Sequence, residues 1–154
     1  MFSEEEQIKT ITFFQALDNV LNGQNFDLGL VVTNRFKAED FLGLIPPKAT
    51  ADIFTLTTKE HPDDAILQIV ESFKSNKWFI LELQESYMPS QLYGQLRSLS
   101  VSNRLDIQNL LGSDEKEMIV EQPKESRVVV ITTNEIAEKL GNQFKGLFGP
   151  VLNI

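Results

Sequence analysis

Four β-branched residues in a row, Val128 to Ile131, constrain the fold of this chain more than any other stretch. Such a run has no polar side to turn to water. It fits a strand covered on both faces, as in the middle of a parallel sheet. Thr132-Thr133-Asn134 follow, residue types that favour caps and turns. A short helix is expected over Ile136 to Leu140, stopped by Gly141. Phe148-Gly149-Pro150 then turns into a last strand, Val151 to Ile154. In a parallel α/β sheet, ligands bind at such polar tips, beyond the carboxyl ends of the strands.

The rest of the chain repeats the alternation. Ser3 and Glu6 form a capping-box pattern. Behind them Ile8, Ile11, Phe14, Leu17 and Leu21 recur at helical spacing up to Gly23. Asp27 to Thr33 is a short apolar strand, and Asn34 to Asp40 leads into a short helix ending near Leu44. Ala51 to Thr57 is the second strand. Pro62 suits a first helical turn, and Ala65, Ile66, Ile69, Val70 and Phe73 give that helix one apolar face. Trp78 to Leu83 is a third strand, and Pro89 opens a helix with Leu92, Leu96 and Leu99 on one side. From Arg104 to Glu121 apolar and polar residues alternate about the polar tip Gly112 to Glu117, a β-hairpin insertion. Residues 1–154 are thus expected to form one α/β domain. Its architecture is a three-layer sandwich around a mostly parallel five-stranded sheet.

Composition narrows the functional classes. The net charge of −8 speaks against a nucleic-acid backbone or an anionic membrane as the main partner, because both reward Lys and Arg. The absence of Cys excludes disulfides, thiolate nucleophiles and Cys-ligated zinc. No apolar run is long enough to span a membrane, and the acidic start Met1 to Glu6 is the reverse of a signal peptide. A cytoplasmic location is the expectation. With one His, no Cys and no EF-hand spacing, no metal site is expected. His61 precedes Pro62 and reads as a helix cap, with no Gly-flanked serine to make it part of a triad.

The chemistry-bearing candidates lie past strand ends. Glu85 follows the third strand and Asn134 the fourth; together they suit orienting a water, or each caps a turn or helix. Glu82 lies inside the third strand. A buried carboxylate there needs a partner, and the plainer reading puts it at a strand edge or in reach of solvent. A phosphate cradle needs glycines and a Lys after the first strand. Thr33 to Asp40 has no glycine and brings two carboxylates, although Arg35 and Lys37 offer charge.

At these residues the order of elements resembles the core of an AAA+ ATPase, a P-loop-NTPase-like fold, in its MoxR-like and McrB-like branches, over roughly residues 5 to 154. WFILELQES resembles a Walker B strand, with Gln84 in the Asp position and Glu85 in the Glu position. QLYGQLRSL to EMIVEQP resembles the segment before sensor 1, and VVVITTNE the sensor 1 strand with Asn134 as sensor. FKGLFGPVLNI is similar to the stretch around the arginine finger, with Leu147 where that arginine is expected. The Walker A loop is missing, the Mg²⁺-supporting Asp is Gln84, and the helical lid does not follow. The resemblance therefore implies a fold kept without hydrolysis, with ATP and Mg²⁺ disfavoured. Such a domain serves as an interaction or scaffold module for a protein partner, through the hairpin tip 112–117 and Lys145 to Pro150. Two other readings stand beside it. One is a nucleotide hydrolase with a divergent phosphate site around Arg35 and Lys37 and with Glu85 positioning the water. The other is an unrelated doubly wound domain binding a small ligand at a rim of Asn34, Gln84, Glu85, Thr133 and Asn134. Strand order separates the readings: the AAA+ arrangement puts the fourth strand between the first and third, and a flavodoxin-like sheet puts the first next to the third.

Overall fold

The computed structural model describes residues 1–19, 28–107 and 119–154. Its centre is a five-stranded parallel sheet. The strands are β1 (Leu28–Val32), β2 (Ala51–Leu56), β3 (Trp78–Leu83), β6 (Val128–Thr132) and β7 (Val151–Asn153). They lie in the order β2-β3-β6-β1-β7, and each neighbouring pair is parallel. The fourth sheet strand thus sits between the first and third, and the flavodoxin-like order is excluded. As its run of β-branched residues requires, β6 is interior and buried along its whole length.

Alternation along the strands sends side chains to two cores. Leu28, Leu30, Phe79, Leu81, Val128 and Val130 face one side. There they meet α2 (Pro62–Lys74), α3 (Ser90–Ser102) and α4 (Asn134–Lys145). Val31, Trp78, Ile80, Val129 and Ile131 face the other side, where α1 (Glu4–Asp18) and a short 3-10 helix (Ala38–Leu44) pack. Helices on both faces of one sheet make the three layers. Outside the sheet, β4 (Arg104–Asp106) and β5 (Ile119–Glu121) pair antiparallel with Arg104 opposite Glu121. They form the base of the expected hairpin; its tip, 112–117, lies outside the described residues.

Local chemistry explains the helix ends. The Ser3–Glu6 capping box is formed, with both reciprocal bonds present. Pro62 opens α2, and the His61 ring nitrogen accepts the Asp63 N–H at 3.1 Å, as a cap. The Thr133 hydroxyl accepts the Ile136 N–H and caps α4. At the other end of α1, the buried Arg127 guanidinium donates to the carbonyls of Leu17 at 2.8 Å and Asp18 at 3.1 Å. A cation there meets the negative end of the helix and the carbonyls it leaves unpaired.

Two expectations change. α1 ends at Asp18, short of Leu21 and Gly23, which lie outside the described residues. Its buried stripe is Thr10, Phe13, Phe14 and Leu17, and Ile8 is exposed. The reason lies in β1: a Cβ on Gly29 would come within 2.9 Å of Phe13 and 3.0 Å of Leu17. The missing side chain opens the space in which Phe13 and Leu17 sit. The helix after β6 does not stop at Gly141 but breaks there, at φ 87°, and resumes to Lys145. Phe144 anchors the second part in the core against Phe148.

Candidate functional site

The carboxyl ends of β1, β3 and β6 surround a small cavity of about 220 Å³. Thr33, Phe36, Lys37, Glu82, Gln84 and Thr133 line it. Three of the residues expected from the sequence are therefore brought together: Lys37, Gln84 and Thr133. Four others take up bonds around it. The Asn34 side-chain oxygen accepts the Asn134 N–H at 3.1 Å, joining the tips of β1 and β6. The Arg35 guanidinium pairs with Glu6 at 2.5 Å and lies 4.9 Å over the Phe36 ring. The Glu85 carboxylate accepts the Thr58 N–H at 3.1 Å. β3 and β6 are neighbours, but these bonds draw Glu85 toward β2 and the backbone of Asn134 toward β1.

The loop from Thr33 to Ala38 occupies the position where a phosphate cradle would lie. From Arg35 to Ala38 its amides are already engaged. The Thr33 hydroxyl accepts the N–H of Arg35 at 3.2 Å and of Phe36 at 3.3 Å. Asp40 accepts the Lys37 N–H at 2.9 Å. The Ala38 N–H, at the start of the 3-10 helix, goes to Glu82 at 2.8 Å. Four consecutive donors are thus bound to the protein's own oxygens, two of them to carboxylates. A helix start attracts negative charge, and here the chain supplies it internally.

For Glu82 the expectation of a strand edge fails, and that of a carboxylate in reach of solvent holds in part. It is not on an edge strand, but it is only half-buried, at the open cavity, and its carboxylate is partnered. β3 is interior, and the half-buried carboxylate accepts from Ala38, from the Thr55 hydroxyl at 3.0 Å and from the Gln84 amide at 3.3 Å. Three donors offset the cost of removing the charge from water. Thr55 lies directly opposite on β2, a pairing invisible without the sheet register.

The loop is also clamped from outside. Phe2 stacks on Phe36 with centroids 4.1 Å apart and meets Phe41 edge-on at 5.2 Å. The Glu6 carboxyl is held below its ordinary value, first by the Ser3 backbone N–H and further by the Ser3 hydroxyl and the Arg35 charge, against a smaller opposing effect of burial. The surroundings are acidic. First turns near these strand ends carry Glu4, Glu5 and Glu6 in α1, Glu39 and Asp40 in the 3-10 helix, Asp63 and Asp64 in α2, and Glu135 in α4. Among the described residues, no group of three or more His, Asp or Glu is arranged to hold a metal ion. No helix among them is long and apolar enough to cross a membrane.

No protein-family model matches the chain, and no curated protein is significantly similar to it.

Proposed function

We propose that this chain is a non-hydrolysing AAA+-like domain that works as an interaction or scaffold module. One observation carries the first half: the amides of Arg35, Phe36, Lys37 and Ala38 are all bonded to side chains of the protein. A nucleotide phosphate needs such amides free and pointing at it. Here it would meet Glu82 and Asp40 instead, and would have to displace both.

Three further features support the reading. The strand order has the fourth strand between the first and third, as the AAA+ resemblance implies. Gln84, in the position of the Mg²⁺-supporting Asp, donates its amide to Glu82 and offers a hard cation no charge. Leu147, in the position of the arginine finger, is buried in the core, and its carbonyl accepts the Ser100 hydroxyl at 2.6 Å. The finger contributes much of the transition-state stabilisation in phosphoryl transfer, and nothing at Leu147 replaces it.

The interaction half assigns the partner to the hairpin tip 112–117 and the segment Lys145 to Pro150. Leu147 and Phe148 of that segment belong to the core, so its outward part is Lys145, Gly146, Gly149 and Pro150. Backbone amide spectra recorded with ATP or ADP, with and without Mg²⁺, test the first half. No movement of residues 35–38, 84 and 133 at millimolar nucleotide is expected. Saturable movement there, or Mg²⁺-dependent ATP turnover lost in Glu85→Gln, would overturn it. Deleting 112–117 is expected to release a captured partner without lowering the melting temperature. Retention of every partner would remove that surface.

A further inference from the structure

The sheet is open at both ends of its strand order, and β2 is the longer of the two edge strands. Its register with β3 decides which of its backbone groups are used. Ala51 stands opposite Trp78, whose N–H donates to the Thr50 carbonyl at 2.8 Å. In a parallel ladder this leaves the N–H and C=O of Ala51, Ile53 and Thr55 pointing away from β3. Among the described residues no hydrogen bond is formed to these groups. The row has definite ends. The Ala49 N–H goes to the Pro46 carbonyl at 2.9 Å, and the Thr57 carbonyl accepts the Glu60 N–H at 3.2 Å. Ile53, at its centre, is 36% exposed. Edge strands of monomers carry charges, prolines or bulges that discourage pairing. β2 has no proline, and its one charge, Asp52, is held by the Ser72 hydroxyl at 2.8 Å and Lys77 at 3.5 Å.

We propose that β2 joins two copies of this chain, antiparallel across a two-fold axis at Ile53, so that two sheets become one. The free row is complementary to itself. With Ile53 opposite Ile53, Ala51 of each copy falls opposite Thr55 of the other, and each facing pair exchanges both its N–H···O bonds. A register displaced to either side brings in Ala49 or Thr57, whose groups already close their own turns, and bonds are lost. Charge agrees with this register. Asp52 faces Phe54 of the second copy, so no carboxylate stands opposite its like, and Lys77 accompanies each Asp52. Ile53 shares its face of the sheet with Ile80 and the 3-10 helix, which leaves Leu42 exposed as well. A row symmetric about one residue matches a second copy better than an unrelated strand. The other edge, β7, turns outward only Val151 and Asn153, a shorter row. The dimer goes beyond the scaffold reading and does not depend on it.

Sedimentation equilibrium of the whole chain from about 10 μM to about 1 mM, the range of a small interface, tests the pairing. A reversible dimer is expected. Amide exchange at Ala51, Ile53 and Thr55 should slow as the concentration rises, which reads the edge in the unaltered chain. Ile53→Lys sets two ammonium groups against each other at the axis and should weaken the dimer about tenfold or more. Ile53→Pro removes an N–H that β3 does not use, so the fold should stay while the dimer is lost. Melting of both variants at low concentration separates lost pairing from lost folding. A chain that stays monomeric throughout, a dimer that both folded variants leave unchanged, or one that protects the amides of Val151 and Asn153 instead would overturn the proposal.

Discussion

The carboxylate of Glu82 accepts the backbone N–H of Ala38 at 2.8 Å, across 44 residues of chain. A strand interior thereby caps the helical turn that follows a different strand. The loop between Thr33 and Ala38 is held from below by this bond and from above by Phe2 and Glu6.

Removing that carboxylate should orphan several donors at once. Glu82→Ala leaves the Ala38 N–H and the Thr55 hydroxyl without their acceptor, at a cost of about 1–3 kcal/mol for each buried donor. Glu82→Gln keeps one oxygen for Ala38 and turns an NH₂ toward another donor, so its loss should be smaller. Urea unfolding midpoints of the two variants should fall in that order below the parent protein.

Three glycines should respond to alanine in three ways. At Gly29 a Cβ meets Phe13 and Leu17, both buried, and the overpacking should cost about 1–3 kcal/mol. At Gly141 the space is open but φ is 87° with ψ −178°, so the cost is purely conformational, again about 1–3 kcal/mol. Gly94 lies inside α3 with nothing near its missing Cβ, and Gly94→Ala should stabilise by about 0.5–1 kcal/mol. Thermal melts separate the gain at Gly94 from the losses at Gly29 and Gly141. A gain at Gly141 would contradict the backbone break assigned to it.

Acid should loosen the N-terminal clamp. The folded-state pKa of Glu6 is lowered from its ordinary 4.5, so its contribution is fully present above that value. It is lost as the pH falls through the lowered value. The stability difference between the parent and Glu6→Gln should therefore be largest near neutral pH and shrink below about pH 4.5. A difference that grew in acid would reverse the assigned sign.

Replacing Arg127 should weaken the join between α1 and the sheet. Its guanidinium donates to Leu17, Asp18, Lys124 and Ser126 carbonyls, and hydrogen bonds to charged groups are worth about 1.5–3 kcal/mol each. Arg127→Met keeps much of the buried stem and loses these bonds. Faster amide exchange in the last turn of α1 is the expected outcome, with a lower unfolding midpoint.

What the sequence made legible was whatever one stretch decides by itself. Trp78–Leu81 and Val128–Ile131 are apolar on both faces and fit covered strands, while Pro62 and the Ser3–Glu6 pair mark their helix starts unaided. Relations between distant stretches were not legible. Phe13 is buried in place of Ile8 because Gly29, on another element, leaves room for it. That Glu82 needs a partner could be read, but not which, because Thr55 and Ala38 come from β2 and the 3-10 helix. Gly141 was recognisable as a break. That the helix resumes beyond it depends on Phe144 finding the core. In the candidate site, the residue types past each strand end were visible, but their hydrogen-bond partners were not.

Val-Val-Val-Ile is a ruler without numerals. Slid along its neighbours by one or two residues, it would bury nearly the same hydrocarbon, so apolar packing says little about where β6 must stop. Arg127 supplies the zero mark. Its guanidinium reaches the end of α1 only when Val128 lies opposite Leu28 and Phe79 on the flanking strands. A chain shifted by one residue would present Ser126 or Val128 to those carbonyls and leave the charge stranded. This single polar side chain indexes an otherwise ambiguous strand, and through it the height at which Thr132, Thr133 and Asn134 emerge at the far end.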